Sequence, residues 1–202
     1  MKANKKTREQ VLQIAKPILF NTEMVRAIQN NTKTATRRVI KGVPETAHMF
    51  LGINTETQKA EFLCGEIRNG IYTDFGVEIT LPYKVGDILY VRETWSVDNH
   101  NWLYRADFSD KDLEKLKNIM RWGPSIHMPK KIARLFLRVT DVTAERLQDI
   151  DDDGVVAEGL EIGDPFDELW NSTIKKSERE KYGWDANPWV WVIEFERVEV
   201  TE

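Results

Sequence analysis

The stretch from Ala133 to Leu147, ARLFLRVTDVTAERL, decides the fold. Its centre is rich in β-branched residues, among them Val139, Thr140 and Val142. Branching at Cβ stiffens a side chain and favours the extended backbone of a strand, so we predict one long, central strand here. A second long strand is predicted at 187–200, NPWVWVIEFERVEV, where the alternation indicates burial of at least one face.

Shorter strand patterns precede the central strand. They lie at 17–20 (PILF), 37–40 (RRVI), 59–64 (KAEFLC), 76–82 (GVEITLP), 88–92 (ILYVR) and 101–107 (NWLYRAD). A turn at Gly86-Asp87 introduces the pattern at 88–92. Between 59–64 and 76–82 we predict a loop that includes Gly65 and Gly70.

Several segments have helical patterns. Thr7 and Gln10 fit a capping box near the start of the chain. Asn21 is a natural N-cap for the next helix, which we expect to end at Asn30-Asn31 because asparagine tolerates a positive φ. The remaining helical patterns lie at 110–120, 149–161 and 164–176.

Many short strands with a few helices predict an α+β fold. They favour a small mixed β-barrel over repeated strand–helix–strand units. Because the sequence has neither an internal repeat nor a linker rich in Pro, Ser or Gly, residues 1–202 are predicted to form a single domain.

Composition excludes several classes of protein. The chain is 41% hydrophobic and 10% aromatic, which is too apolar for a disordered protein. It contains no apolar run of about 20 residues and no signal-peptide pattern at its start, so we expect a cytoplasmic protein without a membrane partner. The single cysteine, Cys64, rules out an intrachain disulfide and a cysteine-rich zinc site.

We predict no metal and no cofactor. The three histidines, His48, His100 and His127, are scattered, and the sequence has no glycine-rich phosphate loop. The aspartates between 149 and 153 are interpreted as the start of a helix, whose dipole they stabilise, rather than as a Mg²⁺ site.

Basic residues are segregated although the net charge is −4. Two stretches, 24–44 and 115–140, contain no acidic residue. Their cations are Arg26, Lys33, Arg37, Arg38 and Lys41 in the first, and Lys115, Lys117, Arg121, Lys130, Lys131, Arg134 and Arg138 in the second. We interpret them as a local positive face. The alternative, surface cations whose partners come from elsewhere in the fold, remains open.

The loop 30–40, NNTKTATRRVI, is the candidate reactive segment. Lys33 and Thr36 are close enough in sequence for the amine to reach the hydroxyl. A threonine needs a base to act as a nucleophile, and a lysine among other cations has its charged form disfavoured, so its pKa is expected to fall. Glu158 is a candidate acid or orienting group. The alternative is a basic loop and an unrelated surface carboxylate.

Tryptophans provide candidate stacking surfaces for nucleobases. Trp95 closes the segment VRETW, and Trp184, Trp189 and Trp191 lie near the end of the chain. The alternation in PWVWVIEF indicates that Trp189 and Trp191 share a sheet face, so we interpret those two as structural.

The motifs KPILFNTEMVRAIQNNTKTATRRVI, YKVGDILYVRETW, IHMPKKIARLFLRVTDVTAERLQDI, AEGL and NPWVWVIEFERV, in this order, resemble the ASCH domain family of phage and prophage proteins. The resemblance extends from Lys16 to Val198 and leaves about 41–80 and 96–120 as insertions. It implies a PUA-like β-barrel with flanking helices and a basic groove for a nucleobase, a nucleotide or single-stranded RNA.

The resemblance also implies site residues. Compact members of the family are amidohydrolases that remove the acyl group of N4-acetylcytidine, and their reactive loop matches Lys33, Thr34, Thr36 and Arg38. This implies Thr36 as nucleophile, Lys33 as its base and Glu158 as acid, base or orienter. The residues assigned to binding of substrate or RNA are Thr34, Arg37, Arg38, Glu93, Trp95 and Arg134.

The sequence departs from the family pattern at two positions in these segments. Asn31 stands where the loop has glycine, and Gly154 is expected to loosen the helix that carries Glu158. Other functions also remain open. They are a non-catalytic RNA-binding module, a single-strand ribonuclease, as another family member is, and a phage protein that acts through a protein partner.

Overall fold

A computed structural model describes residues 7–201. Ten strands and six α-helices form in this part of the chain, which confirms an α+β fold. In chain order they are α1 (Arg8–Ile14), β1 (Lys16–Leu19), α2 (Thr22–Gln29), β2 (Ala35–Val39), β3 (Ala47–Asn54), β4 (Lys59–Arg68), β5 (Ile71–Thr80), β6 (Ile88–Arg92), β7 (Trp95–Asp98), β8 (Asn101–Tyr104), α3 (Asp110–Leu116), β9 (Phe136–Arg146), α4 (Asp152–Ala157), α5 (Phe166–Thr173), α6 (Arg179–Tyr182) and β10 (Trp189–Val198).

The strands form three sheets. The order of the five-stranded sheet is β1-β6-β9-β10-β2, so the predicted central strand is its middle strand. In this sheet β1 is parallel to β6, whereas β6 with β9 and β10 with β2 are antiparallel. The other sheets, β3-β4-β5 and β7-β8, are antiparallel. None of the sheets formed by residues 7–201 closes into a barrel.

The chain packs as two compact units. The first consists of the described residues up to Thr34, Gly86–Val139 and the described residues from Phe195 onward, and the second consists of Ala35–Val85 and Thr140–Glu194. Strands β9 and β10 each contribute residues to both units. The prediction of a single domain over 1–202 stays a prediction.

Each unit has a core cluster of its own. In the first unit the cluster contains Val11, Ala15, Tyr90, Met128, Ile132, Ala133 and Phe136. In the second it contains Leu147, Phe166, Trp170 and Val190. Among the described residues no helix has the length and hydropathy needed to cross a bilayer.

Local caps form as the sequence predicts. The Thr7 hydroxyl accepts the Gln10 backbone N–H at 3.4 Å, and the Gln10 side chain accepts the Thr7 N–H at 3.1 Å. The Asn21 side chain accepts the Met24 N–H at 2.8 Å and begins α2. Both capping predictions are confirmed, because such motifs depend only on residues a few positions apart.

The predicted loop around Gly65 and Gly70 is wrong. Strand β4 continues to Arg68 and β5 begins at Ile71, so the connection is only the pair Asn69-Gly70, whose φ angles are 51° and 77°. An Asn-Gly pair favours the two-residue hairpin turn in which both central residues have positive φ. Gly65 lies inside β4, where a Cβ would collide with the ring of Tyr72.

Other differences are shifts of bounds and elements that were not predicted. The strand predicted at 37–40 begins at Ala35, and the helix predicted at 110–120 ends at Leu116. Strand β3, Ala47–Asn54, was not predicted. Gly52 has a φ of 133° and the pairing of β3 with β4 shifts register twice, so β3 has no regular alternation to detect.

Candidate functional site

The loop that carries Lys33 is fixed by the end of α2. Asn31 has a φ of 59°, and the N–H groups of Asn31 and Thr32 donate to Ile28 and Ala27 at 3.1 and 2.9 Å. These two bonds form a Schellman motif, in which the position of Asn31 is usually occupied by glycine. Asn31 therefore adopts the backbone conformation for which glycine is favoured.

Lys33 is buried within the first unit. Lys33 is 2% exposed, and its Nζ lies 5.7 Å from the centroid of the Phe20 ring. Its backbone N–H donates to the Ala27 carbonyl at 3.2 Å, which ties the loop to α2. The neighbouring Thr34 is exposed, and its carbonyl accepts the Phe195 N–H at 2.8 Å.

Thr36 lies on β2 in the second unit. Strand β2 pairs antiparallel with β10, which places Thr36 opposite Ile193. Thr36 is only 1% exposed and Arg37 only 6%. Strand β2 is an edge strand of the five-stranded sheet, so these two polar residues are buried although they do not lie in the middle of the sheet.

The Glu158 side chain extends from the end of α4 to strand β2. It is the C-cap residue of that helix, and its N–H donates to the Gly154 carbonyl at 3.0 Å. Its Oε1 accepts the backbone N–H of Arg37 at 2.6 Å. Because that nitrogen is bonded to the carbonyl carbon of Thr36, the carboxylate lies beside the peptide that joins Thr36 to Arg37. Two of the three predicted catalytic residues are therefore close neighbours.

The Arg37 side chain holds the same group of residues together. Its Nε donates to Glu145 Oε1 at 2.7 Å, and its Nη1 donates to the Gly154 carbonyl at 3.4 Å and lies 3.6 Å from Glu158 Oε1. Charge-assisted bonds of this kind stabilise a charged group away from water. Glu145 was not predicted, because it lies in β9 and no local spacing connects it to Arg37.

Gly154 allows the arginine to approach α4. A Cβ at this position would lie 2.7 Å from Arg37 Nη2 and 2.9 Å from Ile150 Cγ1. The Asp151 side chain also caps α4 here, since its Oδ1 accepts the Gly154 N–H at 2.8 Å. The structure thus gives a steric reason for glycine in this helix: a larger residue would displace Arg37.

Arg38, the next residue of β2, is half-buried. Burial lowers the pKa of Arg38, and the charges of Glu158 and Tyr83 act in the opposite direction. A second guanidinium is therefore electrostatically coupled to the Glu158 carboxylate.

Glu93 and Arg134, both predicted to bind substrate or RNA, form a separate cluster in the first unit. Arg134 Nε and Nη2 donate to Glu93 Oε1 and Oε2 at 2.9 and 3.0 Å. Arg134 Nη1 also donates to Asp107 at 2.6 Å, and its guanidinium lies 3.9 Å from the centroid of the Tyr104 ring. Burial raises the pKa of Glu93, opposed by the hydrogen bonds and charge of Arg134. The pair is satisfied internally, by partners that the sequence did not predict.

Trp95, the remaining predicted binding residue, also lies in the first unit. It is half-buried, its ring centroid is 5.6 Å from that of Trp102, and its backbone forms a bridge with Gly123. Its indole N–H is buried and has no hydrogen-bond partner among residues 7–201. Gly123 allows the ring to pack closely, since a Cβ there would lie 3.1 Å from it.

Burial distinguishes the predicted residues from other polar residues. The buried polar and charged residues of the described chain are Lys33, Thr36, Arg37, Glu93, Ser96 and Glu158. All except Ser96 are among the predicted site residues. Lysine, arginine and glutamate are almost never fully buried unless paired, and burying them is costly. Buried groups of these types are candidates for a functional site, and they also occur in structural ion pairs.

Comparison of the chain with family models, with curated proteins and with solved structures found no match.

Proposed function

We propose that this protein is an ASCH-type domain of the PUA-like class that binds a nucleobase-containing ligand and hydrolyses the amide of N4-acylated cytidine. The observation that carries the proposal is the 2.6 Å hydrogen bond from the Arg37 backbone N–H to Glu158 Oε1. It joins the segment of the candidate nucleophile to a carboxylate from a distant part of the chain. The burial of Lys33, Thr36 and Glu158 supports it further.

The proposed chemistry is an acyl transfer to threonine followed by hydrolysis. Lys33 takes the proton of the Thr36 hydroxyl, and the Thr36 oxygen attacks the carbonyl carbon of the N4-acyl group. The C–N4 bond then breaks, N4 leaves with a proton delivered through Glu158, and cytidine is released. Water attacks the acyl ester of Thr36, which yields the carboxylic acid and restores the hydroxyl.

Arg37 and Arg38 have distinct proposed roles. The Arg37 side chain is bonded to Glu145 and to the Gly154 carbonyl, so it orients the Glu158 carboxylate rather than substrate. Arg38 is the cation assigned to the negative charge that develops on the acyl oxygen. Donors aimed at such an oxyanion typically contribute about 3–4 kcal/mol to transition-state stabilisation.

The test is deacylation of N4-acetylcytidine, followed by absorbance. Wild type is expected to turn the compound over, and Lys33→Ala, Thr36→Ala and Glu158→Gln are expected to lose about 100-fold or more in kcat/KM. Lys41→Ala and Glu161→Gln are matched controls because both residues are exposed, and they should retain the wild-type rate. Absence of turnover by wild type, or equal rates in all six proteins, would reject this activity.

A further inference from the structure

A cavity of about 330 Å³ lies in the second unit, beyond the end of β2. It is lined by the segment that follows β2, by the last residue of β9, by α6 and by the start of β10. Neither Thr36 nor Glu158, which belong to the same unit, lines it. Its volume is within the range of small-molecule sites, and its lining does not include these two residues of the site proposed above.

One wall of the cavity is formed by Arg146 stacked on Trp189. The Arg146 guanidinium lies 4.6 Å from the centroid of the Trp189 ring. Both side chains donate to the carbonyl of Ala47, Arg146 at 2.7 Å and the Trp189 indole at 3.2 Å. A planar group entering the cavity therefore meets a preformed wall, which lowers the entropic cost of binding.

Tyr182 provides the aromatic surface on α6. It is half-buried, and its carbonyl accepts the Trp170 indole N–H at 2.8 Å, which fixes the backbone at this position. The ammonium groups of Lys181 and Lys41 lie 5.5 and 6.0 Å from its ring centroid. An aromatic face with cations nearby suits a base that carries a phosphate.

The polar groups of the lining include both donors and acceptors. Arg146 uses one N–H for Asn187, at 3.1 Å, and one for Ala47. A guanidinium has five N–H donors, and no other hydrogen bond from Arg146 is formed with residues 7–201, so donors remain for a ligand. Glu45 and Glu180 contribute exposed carboxylates that can only accept.

Guanine has the matching pattern. It presents two acceptors, O6 and N7, which suit an arginine, and two neighbouring N–H donors, N1 and the exocyclic amine, which suit a carboxylate. We propose that this cavity binds the guanine base of a nucleotide, with Tyr182 against the ring, Arg146 at O6 and N7, and a glutamate of the lining at the amine. The proposal does not require the amidohydrolase activity.

The test is calorimetric titration of the full chain with GMP and with IMP, which differs from GMP only by lacking the exocyclic amine. GMP is expected to bind, and IMP about tenfold more weakly. Tyr182→Leu should weaken GMP binding about tenfold or more. Tyr72→Leu is the matched control, because Tyr72 is an exposed tyrosine of β5 in the same unit, and it should bind GMP like wild type.

A double variant tests the carboxylates. In Glu45→Gln/Glu180→Gln the advantage of GMP over IMP should disappear. No GMP binding at ligand concentrations up to about 1 mM, unchanged binding by Tyr182→Leu, or tighter binding of CMP than of GMP would each overturn the proposal. Because N4-acetylcytidine turnover is measured separately, failure here is distinguishable from failure of the proposed activity.

A free nucleotide and an RNA strand can both present guanine, and titration with two short RNAs distinguishes these two ligands. UUGUU and UUIUU, with inosine in place of guanosine, are titrated beside GMP and IMP. Tighter binding of UUGUU than of GMP identifies a strand as the ligand, and tighter binding of GMP identifies the free nucleotide. Equal binding of UUGUU and UUIUU together with equal binding of GMP and IMP would contradict recognition of guanine.

Discussion

Gly154 is a residue at which one extra methyl group should disturb the candidate site. Replacing an exposed helical glycine by alanine normally stabilises a helix by about 0.5–1 kcal/mol. At Gly154 the Cβ would lie 2.7 Å from Arg37 Nη2, and Arg37 cannot move without losing its bond to Glu145. We expect Gly154→Ala to lower the free energy of unfolding by about 1–3 kcal/mol, as overpacking does, measured by urea denaturation.

Gly76→Ala is the control for this substitution. A Cβ at Gly76 has no atom within 4 Å, and Gly76 lies on exposed β5 of the same unit. We expect its free energy of unfolding to change by no more than about 0.5 kcal/mol. If Gly154→Ala were as stable as wild type, the close packing of Arg37 against α4 would be refuted.

Glu93 makes the stability of the protein depend on pH. Burial raises the pKa of Glu93 above its ordinary value of 4.5, so the folded state holds this proton more tightly than the unfolded state does. The stability contributed by Glu93 is therefore complete below pH 4.5 and decreases as pH rises from there through the folded-state pKa.

The variant Glu93→Gln removes this titration and leaves Asp107 as a partner for Arg134. We expect the difference in free energy of unfolding, wild type minus variant, to fall as pH rises from about 4 to about 7. Urea denaturation at several pH values measures it. A difference that is constant, or that grows with pH, would show that burial does not raise the pKa of Glu93 in the folded state.

At the scale of the element, local sequence was sufficient wherever the determinants lie a few residues apart. The capping box of α1, the Asn21 cap of α2 and the left-handed Asn31 follow from side-chain chemistry within one turn. The Asn69-Gly70 turn also follows from local sequence, but assigning both Gly65 and Gly70 to the loop extends the predicted loop into β4. Gly65 instead leaves room for the Tyr72 ring, a contact across the hairpin that composition does not reveal.

The candidate site also depends on contacts between distant segments, which local sequence does not predict. Lys33, Thr36 and Arg37 lie within five consecutive positions, so they could be selected from the chemistry of one short segment. Glu145 could not, since its contact with Arg37 joins β9 to β2, strands that are not even neighbours in the sheet. Gly154 could be noticed, but its steric purpose depends on that same contact.

At the scale of the whole molecule, most cations of the two acid-free stretches are engaged in ion pairs with other described residues. Ion pairs within the described chain engage Arg26, Arg37, Lys41, Lys115, Lys117, Arg134 and Arg138. Their acidic partners come from other segments or from the preceding turn, as the alternative interpretation of these stretches supposed. A chain with a net charge of −4 and such pairing is better suited to a small nucleoside or a short strand than to a long polyanion.

This pairing predicts a weak dependence of RNA binding on salt. Arg121, Lys130 and Lys131 form no ion pair with residues 7–201, and each phosphate contact with single-stranded RNA contributes about −0.7 to the slope of log K against log salt. We expect a slope of about −2 for a uridine-rich single strand, whereas engagement of all the cations in both stretches would give about −8. Arg121→Ala and Lys131→Ala should each make the slope shallower by about 0.7. The rate of deacylation of the neutral N4-acetylcytidine, measured over the same salt series, should stay constant, because this compound has no phosphate and its binding releases no counterions. A slope near −8 would mean that the ion pairs open on binding and that RNA, rather than a nucleoside, is the preferred ligand.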